Sequence, residues 1–140
     1  MKISILIIAV ILSFQVWGIN PVLAQTSPIA VKVSLGDSAG ALKFVPDHLD
    51  LKAGEKYKII LTNPSPTEHY FTAKDFADAS WTQKVEAGKV EVKGAINELE
   101  LKPTALAEWV LIPQKPGKYG LRCSIPGHSE AGMTGEIIVN

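Results

Sequence analysis

The chain has 140 residues, 14 Lys+Arg against 14 Asp+Glu and 46% hydrophobic content, the profile of one ordinary globular domain and too short for most multidomain enzymes. A formal charge of zero with no Lys/Arg run excludes the electrostatic footprint of a nucleic-acid binder. The single cysteine, Cys123, excludes an internal disulfide, a four-cysteine zinc site and an iron-sulfur cluster, so this thiol acts alone or with donors of other types.

In chain order, Lys2 precedes an apolar run from Ile3 to Val16, and Val22-Leu23-Ala24 then supplies small residues at a cleavage site. This is the order of a secretory signal, expected to span 1–24 and to leave a single domain at 25–140 that begins with Gln25. An uncleaved anchor is the alternative, because Ile3 to Ile19 is almost long enough to cross a bilayer. Removing 24 of the 140 residues leaves 116, close to neutral. Export would put Cys123 in an oxidising compartment where a bare thiol is a liability, so something is expected to hold it.

Beyond the leader, short apolar runs alternate with polar residues at a period of two and are separated by turn residues. Strands are expected around Val31 to Leu35, Leu42 to Val45, Leu49 to Leu51, Tyr57 to Thr62, Leu99 to Leu101, Ala105 to Ile112, Lys118 to Cys123 and Thr134 to Val139. About eight strands in roughly 116 residues give an all-β sandwich. One segment departs from the pattern. From Asp75 to Gly88, Ala77, Trp81 and Val85 recur at four-residue steps, with Asp75 placed to cap the start and Gly88 the end. The spacing predicts a short amphipathic helix with Phe76 and Trp81 in the core; its functional alternative is a lid near His69.

The chemistry lies near the C-terminus. Cys123, His128 and Met133 have four residues between each, on a loop containing Pro126, Gly127 and Gly132 between two strands, so a thiolate, an imidazole and a thioether can turn toward one point. Cysteine with two histidines and a weak axial methionine is the ligand set of a blue-copper electron-transfer centre, and it requires a second histidine. His69 ends the Pro64-Ser65-Pro66-Thr67-Glu68 connection that follows the Tyr57 to Thr62 strand, whereas His48 sits among Pro46, Asp47 and Asp50. His69 is the better candidate, and His48 reads as a solvated turn residue. Taken alone, Cys123 and Met133 would read as core residues, and His69 as a strand-end one. Their concurrence in an exported β-rich chain favours one copper ion bound by His69, Cys123, His128 and Met133.

With these residues the sequence resembles a cupredoxin, the plastocyanin/azurin family of small copper proteins. Phe44-Val45-Pro46 through Leu49-Asp50-Leu51-Lys52-Ala53-Gly54-Glu55 is similar to the family's early hairpin. Pro116-Gly117-Lys118-Tyr119, Cys123, Pro126-Gly127-His128, Gly132-Met133 and Gly135 are similar to its terminal ligand loop. The resemblance implies a Greek-key sandwich, type 1 copper on His69, Cys123, His128 and Met133, and single-electron transfer between larger redox partners. The spacing departs from both branches: plastocyanins have two residues between the cysteine and the second histidine where this chain has four, as azurins do. Azurins have three between that histidine and the methionine, where this chain has four, as plastocyanins do. Tyr70 also stands where an asparagine commonly follows the first histidine and ties the two ligand loops together.

No Ser/His/Asp pattern, phosphate loop or His-x-His pair points to an enzyme. The expectation is a monomeric carrier in the periplasm, or in the thylakoid lumen of a photosynthetic organism. Its protein donor and acceptor would dock near His128, with no stable membrane insertion once the leader is cleaved. A periplasmic Cu(I) carrier or resistance protein could use the same four residues, and a subunit of a larger oxidase is a further alternative.

Overall fold

Period-two alternation resolves into strands across residues 27–140, which are those the computed structural model describes; the expected leader, 1–24, lies outside them. In chain order these are β1 (Ile29–Leu35), β2 (Phe44–Val45), β3 (His48–Leu51), β4 (Tyr57–Thr62) and β5 (His69–Thr72), then the helix α1 (Lys74–Asp78). There follow β6 (Ser80–Ala87), β7 (Val90–Val92), β8 (Glu98–Leu101), β9 (Leu106–Pro113), β10 (Gly117–Arg122) and β11 (Thr134–Val139). They form a sandwich of a six-stranded sheet, ordered β2-β1-β4-β9-β6-β7, and a five-stranded sheet, ordered β3-β11-β10-β5-β8. Among the described residues no helix is long and apolar enough to cross a membrane.

All eight expected strands are present; β5, β6 and β7 are additional, and two of them had physical reasons to stay hidden. In β5 the buried positions are His69 and Phe71, so a polar residue occupies a core position and masks the alternation. In β6 the expected helix of 75–88 is replaced after Asp78 by a strand with a β-bulge between Thr82 and Lys84. Four residues apart in a regular strand, Trp81 and Val85 would share a face; the extra residue, Gln83, puts them on opposite faces. Val85 is therefore buried, whereas Trp81 is 58% exposed and not a core residue. Asp75 does not cap the helix, whose N-cap position is Ala73 with no side-chain bond, and Gly88, at φ +61°, lies in the turn between β6 and β7.

Phe76 does belong to the core. It meets Trp109 edge-on at a centroid distance of 5.8 Å and Tyr119 at the same distance, so α1 closes the flank between the two sheets rather than forming a lid over His69. Phe71 meets Trp109 at 6.4 Å and Phe44 at 6.0 Å, both edge-on, which continues the aromatic stack between the sheets. Such pairs contribute about 0.5–1.5 kcal/mol each beyond the area they bury. Trp109 donates its indole N–H to Thr82 Oγ1 at 3.1 Å.

Pairing register brings several strand ends to one pole. β1 runs parallel to β4, with Ser34 opposite Thr62, and β4 runs antiparallel to β9, with Thr62 opposite Leu106. β10 and β11 form a hairpin that closes with Arg122 opposite Thr134. The last residues of β1 and β4, the first of β5 and the loop between β10 and β11 therefore share an end of the sandwich.

Candidate metal centre

Cys123 follows the last residue of β10 and Met133 precedes the first of β11, so the hairpin fixes both ends of the loop that carries His128. The loop closes through its own backbone. Met133 N–H donates to His128 O at 2.9 Å, Cys123 N–H to Met133 O at 3.1 Å, His128 N–H to Ile125 O at 3.1 Å and Ala131 N–H to Gly127 O at 3.0 Å. Gly127, at φ +85°, and Gly132, at φ +106°, take backbone conformations that a side chain would strain. The Ser129 hydroxyl adds a bond to Cys123 O at 2.7 Å.

His69 arrives from the other side on a segment held by side chains. Asn63, buried at the end of β4, donates its amide to Thr67 O and Leu101 O, each at 2.8 Å, and accepts from Ser65 N–H at 2.9 Å. Gly36, at φ +74°, lets the end of β1 close on the imidazole: a Cβ there would stand 3.1 Å from His69 Nε2 and 3.1 Å from Ser65 Cβ.

Three of the four expected donors converge. One ligand atom each from His69, Cys123 and His128 lie within 4.8 Å of one another, with Cys123 Sγ 3.5 Å from His128 Nδ1 and the imidazole centroids 5.2 Å apart. Tyr70 N–H donates to Cys123 Sγ at 3.3 Å. Met133 is fully buried, with its backbone in the ladder that joins Cys123 to His128. His48 stands apart, at the start of β3 rather than in a turn, with Nε2 3.3 Å from Asp50 and Nδ1 3.7 Å from Glu136.

His69 is the telling residue. It is fully buried and neither ring nitrogen has a hydrogen-bond partner, a state that costs about 1–3 kcal/mol per group unless another ligand occupies the lone pair. Burial first, and then the neighbouring His128, hold its pKa below the ordinary imidazole value, so the ring stays neutral and able to coordinate. A cysteine sulfur with two imidazoles, and a thioether in the same loop as the cysteine, is a donor set that matches copper in softness. His128 is only half-buried, and it edges a shallow depression of about 420 Å³ lined by Pro66, Thr67, Glu68, Pro103 and Ile125.

Asn63 and Gly36 are the supports that sequence reasoning missed. Asn63-Pro64 is a turn signature, but it carries no hint of the three side-chain bonds that Asn63 makes. Gly36 gives no local signal, because its constraint comes from a ring 33 positions away.

Comparison with known proteins agrees with this geometry. A family model for copper binding proteins, the plastocyanin/azurin family, matches residues 31–140. The chain is 32% identical over 115 residues to the chloroplastic plastocyanin of Fritillaria agrestis, covering 82% of this chain and 63% of that protein. It is 28% identical over 120 residues to the copper-resistant cuproprotein CopI of Rubrivivax gelatinosus, covering 78% of this chain and 65% of that protein. It thus spans a little under two thirds of either relative. The dithionite-reduced auracyanin of Roseiflexus castenholzii superimposes with a TM-score of 0.59 at 16% identity, over 82% of this chain and 99% of that one, and shares the fold.

Proposed function

The chain belongs to the plastocyanin/azurin family of copper-binding proteins, and from that premise we propose that it is an exported blue copper protein carrying single electrons between larger redox partners. In this reading His69, Cys123 and His128 would hold the copper as strong donors and Met133 would add a weak thioether. The observation that carries it is the buried His69 imidazole, without a hydrogen-bond partner on either nitrogen, facing Cys123 and His128. When bound, copper would supply a one-electron couple between Cu(I) and Cu(II).

The chain's own residues do the rest. The β10–β11 hairpin holds Cys123 and the 123–133 loop at fixed separation, Asn63 and Gly36 hold His69, and the buried thiol is shielded from oxidants by burial. His128 brings its ring to the surface and offers the short route in and out. Charge around that opening is partly cancelled, because Lys102 pairs with both Glu68 and Glu100, so apolar contact with Pro66, Pro103 and Ile125 outweighs electrostatic steering. The reading is a carrier rather than an enzyme.

The test is a visible spectrum with metal analysis of the oxidised full chain. One copper per chain and an intense thiolate-to-Cu(II) band are expected, and Cys123→Ser abolishes the band while the sandwich stays folded. A colourless wild-type copper complex, or an unchanged band in the variant, overturns the reading. The likeness to a copper-resistant cuproprotein supports a second reading, a periplasmic Cu(I) carrier. That reading requires copper transfer to an acceptor chelator to outpace electron exchange.

A further inference from the structure

The sheet that carries the donors is weakest where they meet. β10 pairs with β11 from Gly117 to Arg122, and β5 pairs with β8 from His69 to Thr72, but β5 and β10 share only the pair Arg122 opposite Thr72. Past Arg122 there is no ladder between the strand of His69 and the segment of Cys123. The gap is crossed at the core side by Tyr70 N–H on Cys123 Sγ and at the outer side by three polar side chains. Thr72 Oγ1 donates to Glu98 Oε2 at 3.0 Å, Ser124 Oγ donates to the same oxygen at 2.9 Å, and the two hydroxyls lie 3.2 Å apart.

We propose that Glu98 is a positioning residue for the metal centre: its carboxylate clasps β5 to the residue after Cys123 and so fixes the spacing between His69 and the thiolate. Glu98 is directly opposite Thr72 in the β5–β8 register, and both point away from the core, as does Ser124, whose neighbour Cys123 points inward. One acceptor oxygen shared by two hydroxyls from two chain segments is a junction that any acceptor of the same reach can hold. The clasp stands in for the missing ladder. The proposal rests on the ligand assignment above for its consequence at the metal, but its mechanical part is independent of any metal.

The test uses the full chain. In the metal-free protein, Glu98→Ala and Thr72→Val are expected to speed hydrogen exchange at Tyr70 N–H about tenfold while amides in β11 keep their wild-type rate. Glu98→Gln, which retains an acceptor oxygen, stays within about twofold of wild type. In the copper-loaded protein, Glu98→Ala shifts the visible band and Glu98→Gln leaves it in place. Unchanged Tyr70 exchange in both Glu98→Ala and Thr72→Val overturns the clasp. So does equal acceleration in β11, which would mean general destabilisation, or Glu98→Gln behaving like Glu98→Ala, which would make charge the agent. A wild-type copper complex without a visible band removes the ligand assignment and leaves the exchange result to decide the clasp.

Discussion

His69 arrives on a segment tied down by side chains and sealed in the core, whereas His128 arrives on a loop held mainly by its own backbone and reaches the surface. Asn63 fastens the first segment to β8 through Leu101 and to its own loop through Thr67. The second is a run of turns between two paired strands, with the hydroxyls of Ser124, at its start, and Ser129 as its side-chain supports. The contrast divides labour within one site: the buried side fixes geometry, and the open side makes contact.

The largest effect that tests this division is loss of an imidazole. His69→Gly and His128→Gly should each abolish the native visible spectrum, and added imidazole should restore copper coordination in both. Restoration should be fast for the half-buried His128 gap and slower for the sealed His69 gap. Stopped-flow absorbance measures the two rates, and equal rates would erase the distinction between a buried and an open side.

Next in size is the support of each segment. Asn63→Ala strands the buried Leu101 carbonyl, the part-buried Thr67 carbonyl and the Ser65 amide, and should lower the stability of the metal-free protein by about 2–4 kcal/mol in urea unfolding. Ser129→Ala removes one half-buried bond and should cost about 1 kcal/mol. A reversed order would mean that the loop of His128 depends on its side chains after all.

The smallest structural effect should come from Ala131→Glu, an exposed change in the loop of His128. Electron self-exchange should slow severalfold while the visible band stays put, and the wild-type rate should vary only weakly with ionic strength. A steep salt dependence together with an unaffected variant would move the contact surface away from His128.

How much of this was legible follows from where each constraint originates. Thr134 to Val139 could be read to the residue because one strand's alternation is a local property, and the nearness of Cys123 and His128 because one loop carries both. His69 could be singled out by chemistry, yet it opens β5 rather than ending a connection, since a core histidine breaks the apolar pattern. The helix expected to reach Gly88 stopped at Asp78, because residues four apart share a face in a strand as well as in a helix, and the bulge at Gln83 that turns Trp81 outward leaves no local mark. Gly36, Asn63 and Glu98 act through partners 33, 38 and 26 positions away, distances over which no local pattern carries information.

The direction of β1 has one more consequence. Its far end touches His69 through Gly36, and its first residue, Ile29, lies six residues back along the same strand, about 20 Å away. Whatever precedes Ile29 joins the sandwich at the pole opposite His128. The described chain thus enters the sandwich at one pole and presents His128 at the other, like a lamp fixed by its base.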